Sequence, residues 1–178
     1  MRDLLDLWVD LRSASRAHLA VRLLTLVGAL VFTLAFALAG GGNPAAWTLL
    51  CVLGGLVVVQ PHTLMPGLFL GFALASWWAG VEGPWHWALL PAALGLLLVH
   101  VGAALAASVP AQAPVPASVL RRWAWRTGVV ALATVGVWGA AGLLGTVATR
   151  TGGAVPGIVG LALAAGVLVL YVRQLRRA

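Results

Sequence analysis

The sequence predicts an all-α membrane protein with six hydrophobic segments, and three observations carry that expectation. Of the 178 residues, 62% are hydrophobic and 8% charged, against roughly 25% charged in an average soluble domain. Residues 23–81 run without one formal charge. Lysine is absent, and ten of the eleven arginines fall in three clusters, at 2–22, 121–126 and 173–177. Cationic residues flanking apolar runs mark the side of a membrane on which a loop lies.

Taken in order, residues 1–18 form an amphipathic helix in the membrane interface. At helical period Asp3, Asp6 and Asp10 share one face and Leu4, Leu7, Trp8 and Leu11 the other. The acidic stripe is either a solvated face balanced by Arg2, Arg12 and Arg16 or a docking surface for a basic partner. The protein's own Arg121, Arg122, Arg173, Arg176 and Arg177 are a further match for it. Partner-contact candidates are thus Asp3, Asp6 and Asp10, with Arg121, Arg122 and Arg126.

Residues 19–178 are expected to form a single bundle with spans at about 19–39, 46–60, 64–81, 85–108, 124–148 and 154–173, compared with the ~20 residues that cross a hydrocarbon core. The first is read as a retained span, although Ala35, Ala37 and Ala39 supply small residues after it. It is longer than a signal h-region, and the leading segment carries three aspartates. The second and third are short and meet at Gln60-Pro61-His62-Thr63. They are two spans joined by a hairpin or, alternatively, a re-entrant pair at 46–81 beside four full spans. An even number of crossings there puts the N-terminus, the 109–123 loop and the C-terminus on one side, leaving only Arg150 opposite. That arrangement satisfies the positive-inside rule with both termini cytoplasmic. Composition rich in Ala, Gly, Leu, Val and Arg suggests a bacterial cell membrane.

Side chains near the span ends agree. Trp47, Trp77, Trp78, Trp85, Trp87, Trp123 and Trp125 fall where an indole buries its ring and keeps its N–H wet, and are read as interfacial anchors. Trp138, in mid-span, is read as packing. Residues 109–117, with Pro110, Pro114 and Pro116, are expected to be extended, and Ser118 to cap the next helix. Gly67, Gly71 and Ala75, Gly153 and Gly157, and the row Gly128, Gly136, Gly139, Gly142 and Gly145 are read as close helix packing within the chain.

Chemistry is sparse. Cys51 is the single cysteine, so no disulfide forms within the chain. Inside the spans the only ionisable group of note is His100, a candidate intramembrane polar site. His86 and His100 lie fourteen apart, a spacing that suits two haems along one helix. Each haem then needs a second ligand, and only His18 and His62 are available, both on the His100 side. A helix-end histidine at 86 and an interhelical hydrogen bond at His100 are the simpler reading. Glu82 stands alone, and no nucleophile, Walker, zincin or dinucleotide pattern occurs. No cofactor, metal or enzyme activity is expected. The net charge of +7 lies at span ends and not on one basic face, so the partner is the lipid bilayer and not nucleic acid.

Pro61-His62, the run Leu98-Val99-His100-Val101-Gly102-Ala103-Ala104-Leu105-Ala106-Ala107, the Pro-rich loop, and Arg121-Arg122-Trp123-Ala124-Trp125-Arg126 followed by Thr134 and Val137-Trp138 carry a resemblance over residues 45–145. They resemble small actinobacterial polytopic membrane proteins often encoded beside a MoxR-type AAA ATPase and its von Willebrand-like partner. The resemblance implies an accessory or assembly role, with no catalytic residues. The leading expectation is therefore a non-enzymatic accessory, scaffold or anchoring subunit of a membrane complex. A small-solute channel or transporter is the alternative, and a haem-binding membrane subunit the third reading.

Overall fold

The computed structural model describes residues 14–83, 85–113 and 115–151 and positions 162 and 166, with side chains described to residue 143 in the continuous part. Residues 1–13, with Asp3, Asp6 and Asp10, most of the segment at 154–173, and Gly153 and Gly157 lie outside what is described, and Gly145 is described only as helical backbone. All described elements are helices: α1 (Arg16–Leu38), α2 (Pro44–Val59), α3 (Met65–Gly80), α4 (Leu89–Ser108) and α5 (Ala117–Thr151). Three stretches are long and apolar enough to cross a membrane: Arg16–Leu38, Leu89–Ser108 and Ala117–Leu143. The chain divides into two compact units, Met1–Gly128 and Val129–Ala178.

Local signals start and stop these helices. Ser15 caps α1, its Oγ accepting from the His18 N–H at 3.2 Å. Gly40 and Gly42, at φ of 75° and 85°, take the left-handed backbone that ends α1 and turns the chain. Asn43 Oδ1 accepts the Ala46 N–H at 2.9 Å, with Pro44 at the first helical position of α2. The break at Gln60–Thr63 is a tight turn in which the Thr63 hydroxyl donates to the Gln60 carbonyl and accepts from the Met65 N–H.

In the first unit α1 to α4 run alternately up and down. Ser15, just before α1, donates its N–H to Ala111 at 2.9 Å and its hydroxyl to Ala113 at 3.2 Å, both just past α4. At the other end the Trp47 indole donates to Gly41 at 3.1 Å, and Gly80 closes on Gly42 and Phe36. The α2–α3 turn returns to the Ser15 end, where Pro61 and His62 share a cleft with His18 and Ala111. Each 16-residue helix of that hairpin is roughly 24 Å long at ~1.5 Å per residue.

Helix α1 makes its most extensive contact with α4, and glycine permits it. A Cβ at Gly28 would stand 2.7 Å from the Gly95 oxygen and 2.9 Å from the Val99 nitrogen, and one at Gly95 would stand 2.7 Å from the Gly28 oxygen. A Cβ at Gly102 would strike the Thr25 hydroxyl. Between hydrocarbon-facing helices apolar burial gives little drive, so such close approach supplies the attraction. Beside this crossing Phe32, Phe36, Leu50, Val57, Phe69 and Val99 are fully buried. Phe32 stacks on Phe36 at 6.1 Å and meets Phe69 edge-on at 6.2 Å. The opposite face of α1, with Leu23, Leu30 and Leu34, is exposed, as a hydrocarbon-facing surface would be.

Four expectations change. Gly67, Gly71, Gly128, Gly136 and Gly139 meet nothing within 4 Å among the described residues, so the glycines that pack are a different set. Trp77 lies in the aromatic core, 6.2 Å from Phe36 and 6.3 Å from Phe32, because it falls on the side of α3 that faces α1. The Pro-rich loop is not uniformly extended: Ala113 donates to Pro110 at 3.0 Å, closing a turn whose Ala111 and Ala113 carbonyls accept from Ser15. Helix α5 begins before Ser118, its first bonds running from Val119 and Leu120 to the Pro116 carbonyl.

Candidate functional site

The buried face of α1 is one seam, His18, Arg22, Thr25, Ala29, Phe32 and Phe36, at alternating steps of four and three. Its first half is polar and its second aromatic. His18, Arg22 and Thr25 are 2%, 6% and 1% exposed. The Thr25 hydroxyl donates to the Val21 carbonyl at 3.1 Å, so its polarity is met within the helix. His18 and Arg22 each engage a neighbour in the protein. Across the seam α4 offers Gly102, Ala103 and Ala106, too small to fill the space beside two long polar side chains.

The result is a cleft of about 390 Å³ at the Ser15 end, lined by His18 and Arg22 of α1, Pro61 and His62 of the α2–α3 turn, and residues 106–111 where α4 ends. Three elements thus bring two imidazoles and one guanidinium to one opening. A guanidinium removed from water is costly unless paired and hydrogen-bonded, so ionisable side chains buried at this depth concentrate at working sites. A second cleft, about 600 Å³ and apolar, lies at the other end between Phe32, Trp77, Trp78, Ala92 and Leu96.

Arg22 corrects its reading as one of a cluster of flanking arginines. Arg16, Arg121, Arg122 and Arg126 are exposed, but Arg22 points into the unit. A signal for this was present: Arg22 sits inside an apolar run, four residues after His18 and three before Thr25, on the face that also carries the phenylalanines. His100 is the converse case. It lies on the exposed face of α4 and is not among the residues that line the cleft. His86 sits before α4, its Nδ1 accepting the Ala88 N–H at 3.1 Å beside the Trp87 ring. Among the described residues no three His, Cys, Asp or Glu side chains converge as metal ligands.

The first turns of α5 combine a small apolar contact with exposed arginines. Val119, Leu120 and Trp123 rest on Val21, Leu105 and Ala106. Arg121, Arg122 and Arg126 are all exposed around this contact, as is Trp125 at 68%. No protein-family model, curated protein or solved structure matches the chain.

Proposed function

We propose that this chain is a multi-pass accessory subunit of a bacterial cell-membrane complex, without enzymatic activity, that anchors a protein partner on its cytoplasmic face. The observation that carries this reading is the trio of exposed arginines at the start of α5. Leu120 and Trp123 pack the helix start against the unit while Arg121, Arg122 and Arg126 are all exposed within its first ten residues, a cationic surface to which an acidic partner is complementary. Three membrane-length apolar helices supply the embedding. In the proposed topology six segments cross, both termini and the 109–116 loop lie in the cytoplasm, and residues 1–18 lie in the interface with Asp3, Asp6 and Asp10 as a second contact face. The pinning of Ser15 to Ala111 and Ala113 supports the even number of crossings between them. Assembly with a MoxR-type ATPase system accords with the family resemblance over residues 45–145.

Affinity purification from native membranes in mild detergent tests the proposal. The wild-type chain is expected to retain a partner in fixed ratio, and Arg121→Glu with Arg122→Glu and Arg126→Glu to lose at least nine-tenths of it. A wild-type chain that purifies alone overturns it.

A further inference from the structure

The cleft around Arg22 has the composition of an anion site. Of the ten residues that line it, three carry cationic or cationisable nitrogens, His18, Arg22 and His62, and none is a carboxylate. Arg22 engages a neighbour within the protein, and its guanidinium carries five N–H donors in a planar fork. A carboxylate offers two oxygens, which one guanidinium can satisfy. A phosphate group offers more, and therefore suits a guanidinium assisted by imidazoles from two further directions. The volume, about 390 Å³, falls within the ~300–1,000 Å³ of small-ligand sites. Ala106, Ala107 and Ala111 keep the mouth free of bulky side chains.

We infer that this cleft binds a phosphate group, with Arg22 as the principal donor and His18 and His62 completing its contacts. Arg22 lies six residues into α1, about 9 Å along the axis at ~1.5 Å per residue. Under the topology proposed above, the cleft sits at the cytoplasmic end of α1, the end nearest the lipid phosphates of that leaflet. A phospholipid headgroup and free phosphate present the same chemistry, and competition separates them.

The full-length protein, purified in mild detergent and stripped of lipid, is titrated with phosphatidylglycerol and with diacylglycerol of the same chains, and bound species are counted by native mass spectrometry. Phosphatidylglycerol is expected to bind at least tenfold more tightly than diacylglycerol, and Arg22→Gln to remove that preference. Because Arg22 is buried, two variants at exposed positions keep the test independent of folding: His62→Ala weakens binding severalfold, and Ala107→Phe blocks the mouth. Displacement of the lipid by inorganic phosphate, or binding of inorganic phosphate alone, identifies free phosphate as a ligand; lipid retained against it identifies the headgroup. Equal binding of both lipids with no uptake of inorganic phosphate, or wild-type binding by both His62→Ala and Ala107→Phe, overturns the inference. Loss of the protein partner in the purification above leaves this outcome unaffected.

Discussion

Helices α4 and α5 are both apolar, glycine-bearing and long enough to cross a membrane, yet their glycines behave in opposite ways. In α4, Gly95 and Gly102 lie against the backbone and Thr25 of α1, with no room for a methyl group. In α5, Gly128, Gly136 and Gly139 meet nothing within 4 Å among the described residues, and none of the membrane-length window is buried there. Glycine density marks where close approach is permitted, while a facing surface decides where it occurs. What α4 has is a partner with a matching gap, since Gly28 of α1 stands opposite Gly95.

Breaking the α1–α4 contact should have the largest effect. Gly28→Leu drives a side chain into the Gly95 carbonyl and the Val99 nitrogen, and main chain cannot yield as a flexible side chain does. The expected loss exceeds the ~1–3 kcal/mol of ordinary overpacking, read from unfolding in mixed micelles. Stability equal to wild type removes the crossing as the organising contact. Ser15→Ala should cost about 1 kcal/mol, the usual penalty for a lost N-cap. Because Ser15 also holds Ala113, protease sensitivity of the 109–116 loop should rise with it; an unchanged digestion rate denies the tie. The smallest effect belongs to Gly136→Leu, expected within ~0.5 kcal/mol for a site with nothing within 4 Å among the described residues. A loss as large as that of Gly28→Leu shows that α5 has a packing partner at that face and erases the contrast.

Helix positions were legible in the sequence because their determinants are local. The first apolar run, read as 19–39, is α1 at Arg16–Leu38, and the pair at 46–60 and 64–81 is α2 and α3 at Pro44–Val59 and Met65–Gly80. Caps, prolines and hydropathy act within a few residues, and they announce these ends. The contacts between helices were not legible, because Gly28 and Gly95 acquire meaning only from each other. A finer reading was available: Ala92, Gly95, Val99, Gly102 and Ala106 recur at steps of three and four, as do His18, Arg22, Thr25, Ala29, Phe32 and Phe36. Two complementary seams of that kind predict a pair, and they place His18 and Arg22 inside it. Arg22 was obscured by its neighbours, since arginine near a span end ordinarily reports topology. The converse held for His100, whose solitary place in an apolar helix drew attention to a side chain that faces outward.

The bond between Ser15 and Ala113 joins residues 98 positions apart. A ribosome working at ~5–20 residues per second needs on the order of 5–20 s to make the intervening chain. For all that interval α1 has been synthesised without its principal helix partner, with His18 and Arg22 carried on the face that α4 will later cover. Insertion of this protein therefore has a built-in waiting period, ended only when the fourth helix arrives and the loop after it is fastened to the start of the first.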